Sequence, residues 1–146
     1  MQRLADSNLW LALTLSKHVF HDVVREWLET QPPNDNLLFC RATQQSYLRL
    51  LTTKEVLAPY GNAPLSNAEA WATYDAWQVS GIASLAEEPP GVETYWRRHA
   101  QKKSASPKLW MDAYLAAFAL AGAFQLVTTD RAFKQFEGLD CLVLGR

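Results

Sequence analysis

Three aspartates in this sequence stand where chemistry is easily built. Asp6 and Asp130 each close an apolar run, Arg3-Leu4-Ala5 and Phe124 to Thr128, while Asp112 lies in the first turn of the apolar stretch Trp110-Met111-Asp112-Ala113-Tyr114-Leu115-Ala116-Ala117. In open parallel sheets the ligand crevice lies beyond the carboxyl ends of the strands, so acids distant in sequence can share one mouth. Three converging carboxylates repel one another unless a hard cation neutralises them. Oxygen-only ligation with open positions suits Mg²⁺ or Mn²⁺, and such a centre hydrolyses phosphate esters. Each acid also has an ordinary structural use, Asp6 and Asp130 as N-caps and Asp112 at the positive end of a helix dipole. Taken singly those uses remain open; it is the combination that points to a site.

The elements that would position these acids alternate along the chain. A short strand ending at Asp6 precedes a helix through Leu9, Trp10 and Leu13, with Ser7-Asn8 as capping types. Helical spacing of Val19, Val23, Trp27 and of Phe20, Val24, Leu28 predicts a helix over His18 to Glu29, stopped by Gln31-Pro32-Pro33-Asn34-Asp35. A buried strand over Asn36 to Cys40 follows, then a helix capped by Thr43 that carries Tyr47, Leu50 and Leu51. Beyond the break at Ala58 to Ser66 come a helix over Asn67 to Val79, with Trp71, Tyr74 and Trp77 inward, and a strand over Ile82 to Leu85. Val92 to Lys102 reads as a helix with a basic end, and Leu109 to Ala121 as a helix closed by Gly122. A strand at Phe124 to Thr128, a turn at Ala132 to Phe136 and a strand at Cys141 to Leu144 complete the series. This alternation predicts an α/β fold with a mainly parallel sheet covered by helices on both faces.

Composition narrows the class. A chain of 146 residues, 49% apolar and 20% charged, has the size of one globular domain spanning residues 1–146, without need of disulfides or structural metal. Cys40 and Cys141 border apolar runs and read as two buried thiols. The apolar stretch Ala113 to Leu126 is too short to span a bilayer. The N-terminus lacks a small-residue cleavage site, so a cytoplasmic protein without membrane contact is expected. A net charge of -1 gives no general attraction to nucleic acid, so any such site must be a local patch.

Four motifs in order carry a resemblance. Leu4-Ala5-Asp6-Ser7-Asn8, then Thr43-Gln44 with Leu48-Arg49-Leu50-Leu51-Thr52, then Asp112 to Ala117, then Thr128-Thr129-Asp130-Arg131-Ala132-Phe133 resemble the PIN-domain pattern of VapC-type toxins from type II toxin–antitoxin systems. The resemblance spans almost the whole chain. It implies a PIN-like three-layer α/β/α domain and Mg²⁺- or Mn²⁺-dependent endoribonuclease activity on RNA, with Asp6, Asp112 and Asp130 as the metal-binding catalytic acids. Asn8 or Ser7, and Thr128 or Thr129, would fix those carboxylates. It also implies a homodimer and a cognate antitoxin whose tail occupies the acidic mouth.

One position departs from the pattern. Many members of this family carry Glu where this chain has Gln44, and an amide contributes no charge. A catalytically weakened RNA- or partner-binding module is therefore the second reading. A DNA nuclease or small phosphatase ranks last, because neither a phosphate-cradling glycine loop nor a nucleophilic Asp-x-Asp occurs. Arg49 resembles an arginine that recurs in these toxins, holding the crevice through an ion pair or touching phosphate. Arg97, Arg98, His99, Lys102, Lys103 and Lys108 form the only dense basic run, either an RNA-binding flank or a solvated helix end. His18 and His21, three residues apart on the predicted helix, have no third ligand nearby and read as structural. Trp10, Trp27, Trp71 and Trp77 lie on apolar helix faces, as core or interface anchors.

Overall fold

The computed structural model describes residues 1–145. Its centre is a five-stranded, wholly parallel sheet in the order β3-β2-β1-β4-β5. The strands are β1 (Gln2–Ala5), β2 (Asn36–Phe39), β3 (Ala83–Leu85), β4 (Gln125–Thr128) and β5 (Cys141–Val143). The intervening helices are α1 (Ser7–Thr14), α2 (His21–Glu29), α3 (Arg41–Leu51), α4 (Lys54–Leu57), α5 (Asn67–Val79), α6 (Val92–Ala100) and α7 (Leu109–Gly122), with 3₁₀ turns at Ala58–Tyr60 and Arg131–Gln135.

Alternation along the strands divides the interior into two cores. Ala5, Leu37, Phe39 and Val127 point to the side packed by α1, α2, α3 and α5, whereas Leu4, Leu38 and Leu126 point to the side packed by α6 and α7. Successive side chains of a strand face opposite ways, so a sheet buried on both faces needs consecutive apolar residues, which Leu4-Ala5, Leu37-Leu38-Phe39 and Leu126-Val127 supply in the three central strands. The three-layer α/β/α arrangement follows. Trp10 anchors the first core, fully buried and stacked on Phe39 at 4.0 Å and 7°. Ala113, Ala116, Ala117 and Ala119 are fully buried on α7, and their small side chains let that helix lie close to its neighbours.

Several expectations are corrected. Residues 18–20 form a turn: the His18 carbonyl accepts from His21 N–H and the His18 ring accepts from Phe20 N–H, so α2 starts only at His21. Val19 is consequently outside the helix and 77% exposed. Cys40, not Thr43, is the N-cap of α3; its N–H donates to Thr43 Oγ1 at 2.9 Å, with Thr43 at the third helical position. Cys141 is only half-buried, although neither thiol is bridged. Gly122 is still helical, and Ala123 takes the left-handed cap at φ 55°. Tyr74 is buried and Trp77 half-buried as expected, but Trp71 turns outward, 50% exposed. No helix among the described residues is long and apolar enough to cross a membrane.

Candidate active site

The strand order reverses between β1 and β4, and their carboxyl ends open into the crevice expected at such a switch point. Register pairs Ala5 with Val127, which sets Asp6 beside Thr128. Thr128 Oγ1 donates to Asp6 Oδ2 at 2.7 Å and accepts from Asp130 N–H at 2.9 Å. One buried hydroxyl thus fixes two of the three acids. Thr129 is half-buried and forms no such link among the described residues, so of the two threonines it is Thr128 that bonds the Asp6 carboxylate and the Asp130 backbone.

Asp6 and Asp130 also perform the capping that the sequence left open. Leu9 N–H donates to Asp6 Oδ1 at 2.9 Å, and Ala132 N–H donates to Asp130 Oδ1 at 2.9 Å. Asp112 is half-buried in the first turn of α7, and among the described residues its carboxylate accepts no hydrogen bond. The three acids feel one another. Burial pushes Asp6 up to about 6 despite its two hydrogen bonds, with repulsion from Asp112 and Asp130 adding to the effect. Burial, then repulsion from Asp130, raises Asp112 as well.

This donor set fits a hard cation: it is all oxygen, mutually repulsive, and includes one carboxylate with both oxygens uncommitted. Among the described residues, however, no three His, Cys, Asp or Glu side chains are gathered into a ready-made metal cluster. An ion such as Mg²⁺, which usually retains several waters, suits an open arrangement of this kind.

The remaining candidates divide. Gln44 is buried, and Arg41 donates to its Oε1 at 2.6 Å. Arg41 escaped the sequence reading, although it opens the helix after β2 and stands three residues before Gln44, a spacing at which helical side chains meet. Arg49 is exposed and forms no ion pair among the described residues, which removes the ion-pair reading; it lines an open cleft with Ala42, Ser46 and Met111. Ser7 is half-buried and Asn8 exposed, both in the first turn of α1.

In the basic run, Lys102 and Lys108 line one cleft of about 640 Å³ with Asp112. Arg97 pairs with Glu93 at 2.9 Å, and the Arg98 guanidinium lies over the Tyr95 ring at 5.3 Å. Lys103 is exposed. His99 is half-buried against Phe136, and burial followed by the charges of Arg98 and Lys102 depresses its pKa, so it adds little charge to the patch. His18 stacks on Tyr60 at 4.9 Å and the His21 ring bonds the Ala12 carbonyl at 2.8 Å, which gives both histidines structural partners.

Fold and site together define a class. The chain belongs to the PIN-domain family, whose model, described as PIN domain, matches residues 3–139. Its relatives place it more narrowly, in the VapC group: it is 54% identical over 144 residues to Ribonuclease VapC41 of Mycobacterium tuberculosis, covering 98% of this chain and 99% of that protein. Among solved structures, VapBC-1 from nontypeable Haemophilus influenzae superposes with a TM-score of 0.68 at 14% identity, covering 98% of each chain. VapC20 of Mycobacterium tuberculosis, described as a sarcin–ricin loop cleaving toxin, superposes at 0.61 with 16% identity, covering 94% of this chain and 97% of that one.

Proposed function

We propose that this protein is an endoribonuclease, the toxin of a toxin–antitoxin pair, that hydrolyses RNA phosphodiester bonds at a centre formed by Asp6, Asp112 and Asp130 with Mg²⁺ or Mn²⁺. The observation that carries this reading is the buried Thr128 hydroxyl joining Asp6 to Asp130 at the sheet's switch point, with Asp112 facing them uncommitted. A divalent cation supplies charge neutralisation at the phosphate and a water of lowered pKa. Asp6 and Asp130 are held by hydrogen bonds to one oxygen or both, and Asp112 is left free to adjust. Lys102 and Lys108, in the cleft that contains Asp112, attract the RNA backbone, with Arg98 beside Lys102 in an adjoining cleft; Arg97, Lys103 and Arg49 are further candidates for RNA contact on this reading. The printed names of the relatives, a ribonuclease and a toxin, agree with this activity, and a cytoplasmic setting with an antitoxin partner and a homodimer belongs to the same reading.

One observation favours the second reading. Gln44 supplies no charge and its oxygen is taken by Arg41, which fits a weakened centre that still binds RNA or a partner. Cleavage of a mixed RNA set separates the two. Activity with Mg²⁺ or Mn²⁺ that is abolished by chelator and by Asp6→Asn supports the nuclease. RNA binding with neither cleavage nor a cation effect supports the weakened module.

A further inference from the structure

The segment joining α6 to α7 has a cleft on either side. One is the 640 Å³ cleft that holds Lys102, Lys108 and Asp112. The other, of about 370 Å³, is lined by Glu93, Trp96, Arg97, Ala100, Gln101 and Trp110. Trp110 is 59% exposed and precedes Asp112 by two residues, about 3 Å along the helix axis but on the opposite side of the helix, so the two side chains line different clefts.

The aromatic wall of this second cleft is held by several contacts. Trp96 Nε1 donates to the Trp110 carbonyl at 3.0 Å, and the Trp96 ring packs edge-on against Trp110 at 6.2 Å and 82° and against Tyr114 at 5.2 Å and 77°. Arg97 is paired with Glu93 at 2.9 Å, so an ion pair, offering both donors and acceptors, stands beside the indoles. The two indoles and Ala100 make the lining mainly apolar, and Glu93, Arg97 and Gln101 give it a polar edge. That composition suits a flat ring with a hydrogen-bonding edge better than an apolar helix of a protein partner. Lys102, which follows Gln101 of this lining in sequence, and Lys108 stand in the neighbouring cleft with Asp112 and match a phosphate backbone there.

We infer that the Trp96–Trp110 cleft is a stacking site for one unpaired nucleobase of an RNA strand whose neighbouring phosphates run over Lys102 and Lys108 towards Asp112. Every base presents a π-face, so aromatic stacking holds single strands with little regard to sequence. The inference rests on the ribonuclease reading above.

Binding of fluorescein-labelled single-stranded oligoribonucleotides, followed by anisotropy in chelator so that nothing is cleaved, tests it. Trp110 is exposed and Trp96 bonds only its backbone carbonyl, so Trp110→Ala, Trp110→Leu and Trp110→Phe should all fold. Ala and Leu should weaken binding roughly five- to a hundredfold, the range for losing one stacked base, and Phe should restore most of it. An abasic residue scanned through the oligonucleotide should, at one position, weaken wild type and leave Trp110→Ala unchanged. Equal RNA binding by wild type, Ala and Leu, while wild type still cleaves, overturns the stacking site alone. A changed mass in light scattering without a change in RNA affinity overturns it in favour of a second copy of the chain. Wild type that neither binds nor cleaves RNA removes the ribonuclease reading and this inference with it.

Discussion

Asp6→Asn should gain stability relative to the cation-free wild type as pH rises from 4 to 8. The wild-type carboxyl is buried and pushed from its ordinary 3.8 to about 6. Between those values the folded state holds a proton that the unfolded chain releases. Stability credited to Asp6 is therefore complete below about pH 3.8 and lost as pH rises through about 6. At 1.36 kcal/mol for each tenfold change in proton affinity, the loss at pH 8 is roughly 3 kcal/mol. Asparagine never ionises and escapes this loss, while its Oδ1 can still accept from Leu9 N–H. For a chain of this size that corresponds to a shift of roughly 6–12 °C in the Tm of the variant relative to wild type between pH 4 and pH 8. Thermal melts of both proteins in chelator from pH 4.5 to 8 measure it. Any change in packing or hydrogen bonding is a constant offset, so the growth of the gap with pH is the signal. A gap that does not grow refutes the argument that Asp6 is ionised against its burial.

Other perturbations probe the same framework. Thr128→Val keeps the shape but removes the hydroxyl that serves Asp6 and Asp130; it should cost about 1–3 kcal/mol in denaturant melts and reduce cleavage sharply. Gln44→Glu should pair with Arg41 rather than add a ligand to the acids, so Mn²⁺ affinity by titration calorimetry should change little until Arg41→Ala is combined with it. Ala123→Gly should stabilise the protein by about 0.5–1 kcal/mol, because Ala123 holds the left-handed cap that glycine adopts without steric cost; chemical denaturation reads this directly.

Much of this architecture is legible in the sequence because its signals are local. The strands bearing Leu4, Leu37-Leu38-Phe39 and Leu126-Val127 are apolar runs of strand length, and Asp6 and Asp130 mark where two of them end. The strand order and the pairing of β1 with β4 are not local, since they join Leu4 to Leu126. Thr128 stood out only beside Thr129, because which hydroxyl reaches Asp6 depends on that register. The start of α2 was hidden by the apolar spacing of Val19 and Phe20, which mimics a helix, whereas His18 uses its ring and carbonyl to make a turn. The outward Trp71 shows a related limit: helical spacing identifies a face but not whether a large ring at its margin is covered.

The bond between Thr128 and Asp6 closes 122 residues of chain. A ribosome adding about 5–20 residues each second therefore releases the first aspartate many seconds before its supporting hydroxyl exists. Until the strand carrying Thr128 has left the exit tunnel and inserted beside the first strand, the nascent chain has no assembled acidic mouth. A truncated translation product lacking the last twenty residues has no means to form one. On the ribonuclease reading, the cell is thus shielded during synthesis by the order in which the fold is completed.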